Sequence, residues 1–299
     1  MAQRAPSRKV SIIGAGNVGT ALAALCRRKG LSVVSVISRN REDARRAAAL
    51  GGCQRFFSRD IADLHPTTNV LLIAVSDAQV RSVAREVAHN TQLDFSHLYA
   101  AHTSGILTSN ELSALERQGA VVFSFHPMQS FPTRDPSAAQ VKTLEGITYG
   151  VEGSPKAVRF ARQLARQLGG ISLRVPKEQK ILYHLACVVA SNYSVALLGA
   201  IEDIASGFVS GHSLQHFRKL IESSIEHSLR LTPQKALTGP IVRGDRQALQ
   251  AHLAQLTGKR RHLRQLYKIL GLYALSLAER EKHFSRLQLK QLKTILRAS

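Results

Sequence analysis

The chain has 299 residues, of which 44% are hydrophobic, 20% are charged and only 5% are aromatic, with no Trp. This composition excludes a disordered chain and argues against a surface that stacks the bases of single-stranded nucleic acid. The formal charge is +21, and residues 151 to 299 hold most of the excess, with 24 basic and 9 acidic side chains. Beyond Gly258 the basic residues alternate with Leu, Tyr and Ile at helical spacing, so we interpret them as a solvated helix face and do not expect nucleic-acid binding.

The cysteines and the N-terminal segment indicate in which cellular compartment the protein resides. Cys26, Cys53 and Cys187 lie far apart in the chain and form no metal-binding or redox pair, which favours a reducing cytoplasm. The N-terminal segment lacks the apolar stretch of a signal peptide, and we find no uncharged apolar run of about 18 residues that would span a bilayer. We therefore expect a cytoplasmic protein without a membrane segment or a metal site.

The pattern of hydrophobic residues changes near Pro176. Before it, short β-branched runs alternate with Ala-rich helical stretches, and the predicted strands are 10–13, 32–38, 70–75, 98–102, 121–126, 146–151 and 171–175. Continuous apolar strands separated by helices predict a doubly wound parallel sheet with both faces covered. After it, helices are predicted at about 177–206, 213–230, 245–257 and 260–297, the last with a break.

A glycine-rich motif follows the first predicted strand. It reads Gly14-Ala15-Gly16-Asn17-Val18-Gly19 and is followed by a helical pattern. Gly14 permits a tight turn, Gly16 lets a pyrophosphate approach the backbone, and Gly19 lets the helix pack on the strand; the helix N-terminus, with Asn17 and Val18, faces the phosphates. We therefore predict a Rossmann-type α/β domain that binds a dinucleotide in residues 1–174, followed by an all-α domain for substrate and dimerisation in residues 175–299.

The residues after the second predicted strand indicate which dinucleotide is bound. An NAD site would place a carboxylate there for the ribose 2′-hydroxyl, whereas this chain has Ser38, Arg39 and Asn40. A guanidinium with two small polar groups favours NADP over NAD. The alternative is that Arg39 is a solvated loop residue.

Two later strand ends point to the edge of the sheet where open α/β folds bind ligands. Val75, Ser76 and Asp77 follow one strand, and His102 and Ser104 end the next. We expect all five to contact the cofactor, and Ser104 also to contact the substrate. For Ser76 and Asp77 the alternative is that they only cap the following helix.

Candidate chemical groups follow the strand 121–126 and begin the helical half. His126, held by Pro127, is a titratable group at the ligand edge, and a structural role is its alternative. Lys180 and His184 share a polar stripe with Cys187, Ser191 and Ser194, at i, i+4, i+7, i+11 and i+14. A buried Lys is costly to leave unpaired, so we expect the stripe to face a cleft. The alternative is a Lys180 that reaches solvent, with His184 bonded to the backbone.

We predict Lys180, His184 and His126 as catalytic residues. Arg243, in a Gly- and Pro-defined loop, could bind a substrate carboxylate or only a helix end. The predicted substrate-binding residues are Ser104, Gln129, Ser191, Asn192, Thr238 and Arg243.

These motifs resemble a known group of proteins. The segments GAGNVGTAL, SRN, AVSDAQV, HTSG, HPMQSFP, KILYHLACVVASNY and ALTGPIVRGD are similar, over residues 9 to 256, to uncharacterised bacterial proteins with a Rossmann-like domain and a C-terminal helical domain of unknown function. That group is in the superfamily of pyrroline-5-carboxylate reductase, deazaflavin-dependent NADP reductase, and 6-phosphogluconate and 3-hydroxyisobutyrate dehydrogenases. The resemblance implies the fold and a dimer formed through the helical domains, and leaves the substrate open.

Two relatives in this superfamily bear on the chemistry. In the β-hydroxyacid dehydrogenases a helix Lys precedes an Asn by one turn; Lys180 matches the Lys, whereas His184 stands where the Asn would be. Prephenate dehydrogenases have a similar His-Pro-Met strand end, whose His contacts the substrate hydroxyl, but here Gln129 and Ser130 replace the small residues that follow.

Our hypothesis is an NADP-dependent oxidoreductase acting on a small carbonyl, imine or alcohol between the domains. The alternatives are an NADP-binding sensor without catalysis and a dehydrogenase similar to prephenate dehydrogenase.

Overall fold

The computed structural model describes residues 8–281 and 284–297. They form two compact units, which divide between Ser191 and Asn192. The helix that begins at Lys180 belongs to the first unit, together with the whole sheet. The division of function at residue 174, with cofactor binding before it and substrate binding and dimerisation after it, stays a prediction.

An eight-stranded sheet is the framework of the first unit. The strands are β1 Lys9–Ile13, β2 Ser32–Ile37, β3 Phe57–Ser58, β4 Val70–Ile73, β5 Tyr99–His102, β6 Val121–Pro127, β7 Thr148–Gly153 and β8 Ile171–Arg174. Their order in the sheet is β3-β2-β1-β4-β5-β6-β7-β8. The chain therefore winds outward from β1 on one side and from β4 on the other, so the strand order switches between β1 and β4. In open α/β sheets ligands bind at such a switch point, beyond the carboxyl ends of the strands.

The predicted fold class, a doubly wound α/β sheet followed by helices, is confirmed with one correction. The sheet is not wholly parallel, because β6 and β7 pair antiparallel, with His126 opposite Gly150. A parallel return requires a crossover of a dozen or more residues that is usually helical. The connection from β6 to β7 contains one α-helix of only five residues, Ala138–Lys142, and the chain returns beside β6 in the opposite direction.

Helices cover both faces of the sheet in the first unit and make up the second. Those of the first unit are α1 Asn17–Arg28, α2 Arg41–Gly51, α3 Asp77–Val87, α4 Ser113–Arg117, α5 Ala138–Lys142, α6 Pro155–Gln167 and α7 Lys180–Val188. Those of the second are α8 Ser194–Ala205, α9 Leu214–Arg230, α10 Pro233–Ala236, α11 Pro240–Arg243, α12 Arg246–Gln255, α13 Arg261–Glu279 and α14 Arg286–Arg297. Four of the longer ones, α9, α12, α13 and α14, fall within the predicted helical stretches.

The hydrophobic core follows the alternation of side chains along the strands. Ile12 and Leu72 lie in a cluster on one face of the sheet, whereas Ile13 and Ile73 lie in a second cluster on the other face. Consecutive strand residues point to opposite faces, so an uninterrupted apolar run fills both layers. In the second unit Leu249, Leu275 and Leu292 form a small core of their own.

The helical segment Lys177–Ala205 differs from prediction in two ways. A π-helical turn at Val189–Tyr193 separates α7 from α8, and its extra residue shifts the face of every later position. The predicted stripe therefore does not continue in phase from Lys180 to Ser194. This segment is also long and apolar enough to cross a membrane, with a mean hydropathy of 1.6. That corrects our expectation that the chain has no such run; the core helix of a soluble protein can have the same length and composition.

Candidate active site

The glycine loop between β1 and α1 lies at the switch point of the sheet. Gly14 has φ +99°, and a Cβ there would collide with the carbonyl oxygen of Ala74 at the end of β4. A Cβ at Gly19 would collide with the carbonyl oxygen of Gly14. By contrast, no atom lies within 4 Å of a Cβ added at Gly16. Two glycines therefore serve the fold, and the third leaves open space above the backbone.

That open space fits a phosphate group. Helix α1 begins after Gly16 with no hydrogen bond from a side-chain cap, so its first N–H groups are available to an anion and the helix dipole favours negative charge. A groove of about 660 Å³ continues from the loop past the ends of β2 and β4. The predicted cofactor residues in its lining are Gly14, Gly16, Ser38, Arg39, Asn40, Val75 and Ser76. The groove thus fits the phosphates of a dinucleotide.

Three guanidinium groups line the far end of the groove, from Arg39, Arg59 and Arg134. Arg134 is paired with Asp43 at 3.3 Å. Within the described part of the chain, Arg39 and Arg59 have neither an ion pair nor a hydrogen bond to another side chain, and both are exposed. The side chain of Asn40 already has partners within the protein, because it caps α2 by accepting from the N–H groups of Glu42 and Asp43. The end of the groove therefore carries two unpaired positive charges.

His102 is a buried structural residue in this conformation. Its Nε2 donates to the carbonyl oxygen of Thr108 at 3.0 Å, and its Nδ1 accepts from the N–H of Ser104 at 3.2 Å. The Ser104 hydroxyl in turn accepts from the N–H groups of Ile106 and Leu107. These bonds hold the loop after β5 in place. The contact of His102 and Ser104 with a cofactor stays a prediction.

The buried His102 makes the stability of the fold dependent on pH. Burial is the main cause that lowers its pKa from 6.5 to about 4. His102 binds a proton below about pH 6.5 in the unfolded chain and only below about pH 4 in the folded chain. Its contribution to the free energy of unfolding is therefore complete above about pH 6.5 and is lost as the pH falls from about 6.5 to about 4. We expect a loss of about 3 kcal/mol for this one residue. Urea unfolding at pH 7.5 and 4.5 should show a smaller acid loss for His102→Gln than for the wild type; equal losses would contradict this account.

Lys180 is the most buried charged side chain of the first unit, with 1% of its surface exposed. Its ammonium donates to the hydroxyl of Ser124 at 2.8 Å and to the carbonyl oxygen of Ser104 at 3.4 Å. Burial lowers the pKa of Lys180 to about 8, and the charges of Glu152 and Asp77 oppose that shift. The Lys180 amine can therefore gain and lose a proton close to neutral pH.

Two imidazole rings lie beside this ammonium. His126 follows Ser124 by two positions on β6, which places both side chains on the same face of the sheet. His184 follows Lys180 by one helical turn, and the centroids of the two rings are 6.4 Å apart. A Cβ at Gly105 would lie 2.6 Å from His184 Cδ2 and 3.0 Å from His126 Nε2. The absence of a side chain at Gly105 thus allows the rings to converge.

The structure thus brings the three predicted catalytic residues together at the edge of the sheet. Other predicted residues lie elsewhere in the first unit. Gln129 uses its amide within the connection from β6 to β7, accepting from the N–H of Ser130 and donating to the carbonyl oxygen of Thr143 at the end of α5. Asn17 donates to the carbonyl oxygen of Phe131, and Ser191 is exposed at the π-helical turn. Their contacts with ligands stay predictions, as do those of Val18 and Asp77 and of three residues in the second unit, Asn192, Thr238 and Arg243.

Several residues of this site were missed in the sequence. Tyr183 lies one position before His184, and its spacing of i+3 from Lys180 would have placed it on the same helix face. Ser124 alternates with His126 on one strand, which is also visible in the sequence. Arg59 follows β3, a strand of two residues that is too short to show a pattern. Gly105 had no signal, because its importance depends on rings from two distant elements.

The fold and the site together define the class of the chain as a two-domain protein built on a Rossmann-like domain. Residues 2–127 match the model of the Rossmann-like domain, and residues 147–274 match that of the domain of unknown function DUF2520. The chain therefore joins a Rossmann-like domain to a domain that matches DUF2520. No curated protein is significantly similar to it in sequence.

Solved structures with the same fold come from several bacteria. A candidate NADP oxidoreductase of Bacteroides fragilis is 23% identical with a TM-score of 0.73, over 90% of this chain and 98% of that one. A Thermotoga maritima protein is 22% identical with a TM-score of 0.68, over 92% and 100%. The imine reductase of Myxococcus stipitatus in complex with NADP⁺ is 16% identical with a TM-score of 0.59, over 96% and 98%. At these identities the similarity establishes the fold.

Proposed function

We propose that the protein is an NADP-dependent oxidoreductase that acts on a small carbonyl, imine or alcohol. The observation that carries this proposal is the cluster of Lys180, Ser124, His126 and His184 at the same sheet edge as the glycine loop. A protein that only senses a dinucleotide has no need of a buried ammonium and two imidazoles at that edge. Solved proteins of the same fold include a candidate NADP oxidoreductase and an imine reductase with NADP⁺, which supports the same class of activity.

The residues of the cluster divide the chemistry among them. When bound, the nicotinamide supplies or accepts the hydride. Lys180 holds a proton that it can give to the reacting oxygen or nitrogen of the substrate, and its lowered pKa near 8 suits this exchange. Ser124 holds the ammonium in place by accepting one of its hydrogens.

A panel of substrates tests the proposal. Purified protein is mixed with NADPH and, separately, with aldehydes, ketones, oxo acids and cyclic imines, while the absorbance of NADPH is followed. We expect at least one class to oxidise NADPH well above the rate without protein. If NADPH binds but no compound is reduced, the oxidoreductase proposal fails and the sensor is favoured.

We base the proposed preference for NADP on the unpaired guanidinium groups of Arg39 and Arg59. We expect Arg39→Asp to weaken NADPH binding about 10- to 100-fold, because a charge-assisted hydrogen bond contributes about 1.5–3 kcal/mol. Binding of NADH, which lacks the 2′-phosphate, should change much less. Fluorescence titrations of both cofactors measure this, and Arg55→Asp, outside the groove lining, is the matched control. Equal losses for both cofactors would show that Arg39 does not bind the 2′-phosphate.

A homodimer formed through the helical half is the partner that we propose. The first turns of α7 expose Ile181, Leu182 and Leu185 by 52% to 69%, and exposed apolar patches mark interaction surfaces. The same helix is tied to the sheet by Lys180, which favours a protein surface over a bilayer as the partner of this face. We propose a protein without a membrane or nucleic-acid partner that acts in the cytoplasm. Light scattering over a range of protein concentrations measures the mass of the particle.

A further inference from the structure

Tyr183 holds the imidazole of His126 at its Nδ1 edge. Its hydroxyl lies 2.7 Å from His126 Nδ1, and the two rings stand nearly perpendicular, at 89°. Gly150, which is opposite His126 in the antiparallel pair of β6 and β7, makes room for this contact. A Cβ at Gly150 would collide with the Tyr183 hydroxyl. The strand and the helix are thus shaped around this hydrogen bond.

The relative strengths of the two groups decide which way the hydrogen bond runs. A phenol is a stronger acid than the N–H of a neutral imidazole, and an imidazole nitrogen is a stronger acceptor than a phenol oxygen. Burial, followed by Cys187, raises the pKa of Tyr183, so its hydroxyl keeps its proton at neutral pH. The better arrangement is therefore that Tyr183 donates to His126 Nδ1. A neutral imidazole that accepts at Nδ1 carries its proton on Nε2.

His126 is uncharged at neutral pH. Burial, followed by the positive charges of Lys180 and His184, lowers its pKa to about 4. Its Nε2 lies toward Gly105, and no hydrogen-bond partner for that nitrogen is found among residues 8–281 and 284–297. The ring therefore offers an N–H donor that the protein itself does not use.

We propose that Tyr183 is a positioning residue that holds neutral His126 as its Nε2-protonated tautomer, and that the site is built for the oxygen of a carbonyl substrate. This inference rests on the proposed oxidoreductase function. The Nε2–H of His126 and the ammonium of Lys180 are both donors, and a carbonyl oxygen has two lone pairs to accept from them. A neutral imidazole used as a donor polarises a carbonyl without competing for the transferred proton.

An iminium substrate fits this arrangement poorly. It carries a positive charge and an N–H group, and it has no lone pair on nitrogen to accept from His126. Of the charges that act on His126, the positive charge of Lys180 has a larger effect than the negative charge of Asp77, the one carboxylate among the groups that shift its pKa. His102, whose pKa is about 4, is itself uncharged at neutral pH. A cation beside His126 would therefore be repelled.

The hydride, the electrons and the proton of a carbonyl reduction are all accounted for at this site. The carbonyl carbon gains the hydride of NADPH, which is thereby oxidised to NADP⁺, and the C=O double bond becomes a single bond. The oxygen takes a proton from the Lys180 ammonium, which becomes a neutral amine and is reprotonated from solvent. His126 keeps its Nε2 proton throughout and stabilises the negative charge that develops on oxygen.

Nuclear magnetic resonance of the full chain labelled with ¹⁵N-histidine tests the tautomer without any substrate. The His126 signals are assigned by their loss in His126→Gln. We expect the Nε2-protonated form in the wild type and averaged nitrogen shifts, from exchange between tautomers, in Tyr183→Phe. Tyr193→Phe, at an exposed tyrosine of the same helical segment, should leave the spectrum of His126 unchanged. An Nδ1-protonated wild type, or an unchanged tautomer in Tyr183→Phe, would overturn the inference.

Kinetics test the substrate class. With a carbonyl substrate, we expect Tyr183→Phe to lower kcat about 10- to 100-fold with little change in KM, the cost of about 1.4–2.7 kcal/mol of transition-state stabilisation. His126→Gln, whose amide can replace the Nε2–H donor, should retain more activity than His126→Ala. Faster reduction of cyclic imines than of carbonyls would overturn the assignment. If no compound oxidises NADPH, the proposed oxidoreductase function fails. The tautomer of His126 is measured without substrate, so its result is independent of that failure.

Discussion

Replacement of Lys180 by Met is expected to lower turnover about 10²- to 10⁴-fold, the range that a positioned general acid contributes. The ammonium is enclosed against Ser124 and Ser104, and Met keeps the length of the side chain while removing its charge and its protons. The affinity for NADPH should change less than about twofold, because the variant removes a group that acts in the reaction and not in cofactor binding.

The same variant separates chemistry from stability. A buried charge is costly to the fold, and without Lys180 the Ser124 hydroxyl still donates to the carbonyl oxygen of Ser104 at 3.3 Å, so the free energy of unfolding should not fall. The matched control is Lys177→Met, since Lys177 is exposed and its ammonium donates to the side chain of Asn110. Steady-state rates, NADPH titration and urea unfolding of both variants are the measurements. Full activity in Lys180→Met would remove Lys180 from the mechanism.

A second large effect is expected at Gly16, where a methyl group should block the cofactor without disturbing the fold. Gly16 has φ −74°, which any residue adopts, and the space beside it is open. A Cβ would stand where a pyrophosphate approaches the backbone. We expect Gly16→Ala to weaken NADPH binding about 10- to 100-fold, from about 1–3 kcal/mol of overpacking. The free energy of unfolding should change by less than about 1 kcal/mol.

Gly14 provides the contrast within the same loop. Here φ is +99°, and a Cβ would collide with the Ala74 carbonyl. Gly14→Ala should therefore lower the free energy of unfolding by about 2–5 kcal/mol. NADPH titration measures the affinity of both variants for the cofactor, and urea unfolding measures their stability. Loss of stability in Gly16→Ala, or unimpaired NADPH binding, would contradict the distinction between the two glycines.

The sequence pattern was informative where local physics decides the outcome. Alternation of apolar strands with helices predicted the layers of the sheet, and the glycine spacing predicted the loop at Gly14 to Gly19. It was not informative for β3, whose two residues are too few for a pattern, or for the antiparallel β7, whose direction depends on how a long connection returns. It also missed the π-helical turn, because hydrophobic periodicity is not sensitive to one extra residue in a turn.

The same division applies to the active site. That Lys180 and His184 share a helix face, and that His126 ends a strand, follows from periods of 3.6 and 2 residues along the chain, and the sequence alone determined both. Only the tertiary structure decided that Ser124 and Ser104 accept from Lys180, that Gly105 makes room for two imidazole rings, and that Tyr183 reaches His126 across Gly150. These contacts join α7 to β6 and to the loop after β5, across separations of 56 to 76 residues in the hydrogen-bonded pairs. No periodicity along one element specifies how closely two elements approach.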